Sequence, residues 1–153
     1  MFGPPADAAW LWLGLALVSA LFVGLAADVP EAPAPAADAV AGTVDSAAAS
    51  AQPTRAAHPT TATELRISNR SISLRNGAGT DTATLEFGPV TPARGELGRV
   101  LRGAPPGAVF EDGDTLAAAA RSARAADGRW RETEGTVEVR SVSMGGEHVT
   151  LVG

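Results

Sequence analysis

The hydrophobic pattern divides the chain sharply near its start. From Ala8 to Ala27, AAWLWLGLALVSALFVGLAA, no position carries a charge and no helical face is polar. At ~1.5 Å of rise per residue, a helix of that length covers about 30 Å, the thickness of a bilayer's hydrocarbon. A helix lying on a soluble core keeps a polar stripe. This one would not, so the pattern predicts a transmembrane helix over 8–27 behind a short N-terminal tail, 1–7. Trp10 and Trp12 stand at its N-terminal end and are the expected membrane-interface anchors, because indole rings settle at headgroup level. A cleavable signal peptide would need a basic leader and a shorter apolar core. MFGPPAD has no Lys or Arg, so an uncleaved anchor fits better, although Gly24-Leu25-Ala26 would pass as a weak cleavage site.

After the apolar run the pattern thins. Residues 28–61 are rich in Pro, Ala and Ser, with few large apolar side chains. Pro33 and Pro35 favour extended polyproline II geometry, and the stretch reads as a disordered acidic tether. Within it, DAVAGTVDSAAASAQ offers only Val40, Val44 and alanines as an apolar face, enough for a transient helix.

From residue 62 to 153 the periodicity becomes that of a small α+β head. ELRIS and SISLR flank a turn at Asn69-Arg70, which pairs Ile67 with Ile72 and Leu65 with Leu74 on one face. TDTATLEFG continues the meander and directs Ala83, Leu85 and Phe87 to the same side. ELGRVLRG forms a short helix with Leu97, Val100 and Leu101 inward, stopped by Gly103. TLAAAARSARAA is the main helix, with Asp114 its expected N-cap, Glu111 and Asp112 near its positive end, and Gly128 closing it. GTVEVRSVSM and EHVTLVG, joined at Gly145-Gly146, form a C-terminal hairpin. Val142 falls out of step with Val137 and Val139, which implies a bulge near Arg140-Ser141.

Charge refines the picture. The net charge is −5, all of the basic residues are Arg, and there is no cysteine, which excludes disulfides, thiolate metal sites and cysteine nucleophiles. An acidic, lysine-free, alanine-rich chain suits molar salt, where carboxylates keep a surface hydrated. The negative excess sits in the tether, and the head is nearly balanced, so no basic patch is offered to nucleic acid.

Groups able to do chemistry are scarce. His58 lies in the tether and His148 on the polar parity of its strand, which is not a metal-binding pattern. Glu111-Asp112-Gly113-Asp114 lacks the spacing of a calcium loop and reads as a helix start. Arg129-Trp130-Arg131 reads as a half-buried Trp beside solvated arginines rather than a nucleic-acid platform. Catalytic, cofactor and metal sites are therefore all expected to be absent, as is a small-molecule substrate. Asn69-Arg70-Ser71 is an N-glycosylation sequon at a hairpin tip, which matters only if the head is outside the cell. The nearest basic residue to the span is Arg55, too far to set its orientation. The acidic tether, the sequon and the short N-terminus favour an N-in, C-out protein of the cell membrane.

MFGPPADAAWLWLGLAL, FGPVTP…LGRVLRGAPPGAVF and the terminal HVTLVG resemble a haloarchaeal family of single-span membrane proteins of unknown function, associated with gene neighbourhoods for type IV pilus-like or secretion machinery. The resemblance implies a pilin-like plan, with an N-terminal membrane helix and a small α+β head. It assigns no catalytic residue. This chain lacks the pilin processing site and the glutamate early in the apolar helix. The expected role is a non-catalytic structural or accessory part of a surface assembly, whose partners are the lipid bilayer and other proteins. The alternative is a surface module that captures a ligand or glycan.

Overall fold

The computed structural model describes residues 33–126 and 128–153. The apolar run 8–27, with Trp10 and Trp12, lies outside the described residues. Among those described, no helix is long and apolar enough to cross a membrane.

Ala32–Gly153 forms one compact α+β unit. In chain order it comprises α1 (Ala37–Ala49), β1 (Thr54–Pro59), β2 (Glu64–Ser68), β3 (Ser71–Asn76), β4 (Gly79–Thr84) and β5 (Thr91–Pro92). Then come α2 (Gly95–Leu101), a 3-10 turn (Pro106–Ala108), α3 (Gly113–Ala125), β6 (Arg131–Glu132), β7 (Thr136–Met144) and β8 (Glu147–Val152). The strands make two sheets, ordered β1-β7-β8-β5 and β4-β3-β2-β6. All pairings are antiparallel except β5 with β8.

The β2–β3 hairpin has the register expected from its alternation, with Leu65 opposite Leu74 and Ile67 opposite Ile72. All of these are buried. Its two-residue turn contains no positive φ, so it is not of the primed type that hairpins favour. The turn's carbonyls are instead taken by the following loop. Leu85 N–H donates to Arg70 O at 2.8 Å, and Val90 N–H donates to Asn69 O at 3.1 Å.

Residues 33–61 are not a tether, and this corrects the sequence reading most. α1 buries Ala37, Val40, Ala41, Val44 and Ala47 in the same core as Leu65, Ile72, Leu74, Val137 and Val139. Two carboxylates fix the helix to the meander. Asp81 Oδ2 accepts from Ala37 N–H at 2.7 Å, and Asp45 accepts from Glu86 N–H and Phe87 N–H at 3.2 and 3.0 Å. Small side chains here mean close approach to a sheet rather than lack of a partner. Beyond α1, β1 pairs with β7 from Thr54 opposite Ser141 to Pro59 opposite Thr136. His58 Nδ1 lies 3.0 Å from Thr43 Oγ1 and so joins the strand to the helix.

The expected bulge in β7 is also absent. Its ladder to β8 runs unbroken from Val139 opposite Val152 to Met144 opposite Glu147. Val142 is buried because β7 lies in a middle layer covered on both faces. Val137 and Val139 face the α1 core. Val142, with Val149 and Leu151, faces a second core made with Leu97, Val100 and Leu101 of α2 and Leu116 and Ala120 of α3. Arg140 shares that second face and donates to Val100 O and, at 3.0 Å, to Ala104 O. Val100 O also accepts from Gly103 N–H at 3.0 Å, so Arg140 ties an already closed helix end to β7.

Two local expectations change as well. The meander's last strand ends at Thr84. Leu85 is buried, but Phe87 is turned outward and 49% exposed. The N-cap of α3 is Asp112, not Asp114: its carboxylate accepts from Thr115 N–H at 2.8 Å and Thr115 Oγ1 at 2.6 Å. The helix must start at Gly113, where a Cβ would collide with the Met144 carbonyl.

Candidate modification and interaction site

Asn69 sits in the exposed β2–β3 turn. Only its backbone carbonyl is engaged by the loop, through Val90 N–H. Gly88 presses on the same turn; a Cβ there would meet Asn69 O at 3.1 Å and Arg70 Cγ at 3.4 Å. Phe87 is the chain neighbour of that glycine and a large exposed apolar side chain. The loop that presses on the sequon's turn thus carries a solvent-facing aromatic, Phe87, although the alternation of its strand directs that residue inward.

The histidines do not meet. His58 belongs to the α1–β1 contact. His148 lies between two serines of β7, its Nε2 2.8 Å from Ser141 Oγ and its Nδ1 2.9 Å from Ser143 Oγ. A neutral imidazole offers one donor and one acceptor, so this arrangement satisfies both ring nitrogens. Ser141 is fully buried, out of reach of a substrate. Among the described residues, no group of His, Cys, Asp and Glu is placed to hold a metal ion.

Trp130 is half-buried on the outer face of the meander sheet. Its ring lies 4.9 Å from the Arg66 guanidinium and 4.4 Å from that of Arg75. Cations from β2 and β3 therefore lie over it. Arg75 also grips Glu64 through Nε–Oε2 at 2.5 Å and Nη2–Oε1 at 2.8 Å. That bond holds the Glu64 carboxyl below its ordinary range and raises Arg75. Hydrogen bonds from Thr115 likewise lower Asp112.

A cavity of about 690 Å³ opens where β6, α2 and the start of β7 meet, lined by Leu65, Leu101, Arg102, Glu132, Glu134 and Glu138 among others. Open strand edges are the other resource. β1 and β4 end their sheets. Thr60 N–H donates to Gly135 O at 2.8 Å, and alternation from that bond turns the backbone groups of Arg55, Ala57 and Pro59 outward. Pro59 has no N–H to offer, which shortens the usable edge.

A family profile described as a family of unknown function, DUF7283, matches residues 3–142. The chain belongs to that family. No curated protein and no solved structure matches the chain. The DUF7283 match takes in the apolar run as well as the elements from α1 to most of β7.

Proposed function

We propose that the chain is a membrane-anchored, non-catalytic structural or accessory component of a cell-surface pilus-like or secretion assembly. Its apolar run spans the bilayer, and its α+β unit stands outside the cell. The observation that carries this reading is the uncharged stretch 8–27 set just ahead of a folded unit, both within one family match. With α1 and β1 taken into the folded unit, the sequence between the apolar run and that unit shrinks to residues 28–31. Contacts with neighbouring proteins would use the end strands β1 and β4, since β7 is already paired with β1 and β8 with β5 at Thr91 and Pro92.

Crosslinking of native membranes, followed by capture of this chain and identification of what is bound to it, tests the proposal. Recovery of one or a few membrane or surface proteins in constant proportion is expected. Recovery of this chain alone, unlinked, sinks the assembly reading.

The cavity favours a second reading, a surface module that captures a small ligand or glycan, because its volume falls in the range of ligand pockets. Saturable binding of a soluble glycan, abolished when Thr136→Trp, at an exposed position of the lining, fills the cavity, would move the assignment to that class.

A further inference from the structure

We infer that Asn69 is the acceptor of an N-linked glycan whose first sugars lie against Phe87. This rests on the placement of the head outside the cell proposed above. Three independent features meet at the turn. The sequence Asn69-Arg70-Ser71 supplies the carboxamide and the hydroxyl two residues on that a membrane oligosaccharyl transferase requires. Asn69 is exposed at a hairpin tip, and the loop engages only its backbone carbonyl, so the side-chain nitrogen can be approached from solvent. Beside it, Gly88 packs on the turn, and the residue before that glycine, Phe87, is 49% exposed although its sequence pattern directs it inward.

A single exposed aromatic is ordinary on a protein surface, and it offers a flat apolar face on which a sugar can lie. The apolar face of a pyranose ring covers such a side chain, while its hydroxyls remain in water. Phe87 is held in position by Asp45, which accepts both its backbone N–H and that of Glu86. The backbone beneath the aromatic ring is therefore held before the sugar arrives.

In the transfer, Asn69 Nδ2 attacks the anomeric carbon of a sugar carried on a lipid phosphate. The new C–N bond forms as the C–O bond to phosphate breaks. The lipid phosphate leaves with the electron pair, and the nitrogen gives up one proton to a base of the transferase.

The test is mass analysis of the Glu-C peptide 65–86 from protein isolated out of its native membranes, alongside Asn69→Gln, Ser71→Ala and Ser71→Thr expressed in the same cells. The expected result is a mass increment of whole sugar residues on the native peptide. It is lost in Asn69→Gln and Ser71→Ala and kept in Ser71→Thr. Hydroxyl-radical oxidation of Phe87 rises in Asn69→Gln if the glycan covers the ring; unchanged oxidation removes the Phe87 contact. An unmodified native peptide overturns the inference. Protease accessibility of the head on the same intact cells then separates the two failures: an accessible head leaves the placement standing, and a protected head removes both.

Discussion

At the scale of single residues, this fold is held by side chains that serve distant backbone. Asp45 has no partner in its own helix, yet it takes two N–H groups of the loop after β4. Asp45→Ala is expected to cost about 1 kcal/mol in urea unfolding, the net worth of such bonds, and to loosen Phe87. Gly113 has the opposite role, making room by having no side chain against the Met144 carbonyl. Gly113→Ala is expected to destabilise by about 2 kcal/mol, as other forced overpacking does. Thr91 Oγ1 is buried and has no hydrogen-bond partner among the described residues. Thr91→Val removes that hydroxyl and is expected to raise stability by about 1 kcal/mol. Asp112 and Glu64 have folded-state pKa values below their ordinary ones. Each therefore contributes stability above the unfolded carboxylate pKa, and that contribution fades as pH falls through and below about 4. The urea midpoint should drop over that window, and Asp112→Asn should flatten the drop.

At the scale of elements, what the sequence made legible depended on how many faces an element buries. The hairpin of β2 and β3 covers one face, so Leu65, Ile67, Ile72 and Leu74 alternate cleanly and give the register directly. α2 and α3 show their inward side through Leu97, Val100, Leu101 and Leu116. β7 buries both faces, and alternation cannot express that. Val142 looked like a slipped residue when it was facing a second core. α1 is expected from the sequence only as a transient helix, and its stable packing is illegible for a different reason. Its buried face is Val40, Val44 and alanines, a composition that local propensity cannot separate from a solvated helix. What decides its order is tertiary, namely the sheet close enough to use small side chains and the two aspartates that bind it. Of the candidate site, the sequon was legible but its aromatic neighbour was not, because Phe87 continued the strand's parity past the point where the strand ends. If α1 belongs to the head, a fragment 32–153 unfolds in one cooperative transition, whereas a fragment 62–153 gives no sigmoidal transition. Hydrogen exchange should protect the inner amides of α1 about as strongly as those of β7.

At the scale of the molecule, the functional proposal joins an apolar run to a folded unit of nearly balanced charge, with short free strand edges and little exposed chemistry. Such an object is suited to hold a position and to touch neighbours. If the apolar run spans a membrane as proposed, everything turns on which side of it the head occupies. The most direct measurement is protease shaving of intact cells at their native salt, with detection of the C-terminal β7–β8 hairpin before and after lysis. Loss of the hairpin epitope from intact cells is the expected result, and it would place the head outside. Protection in intact cells with cleavage only after lysis would contradict the proposal and put the head in the cytoplasm.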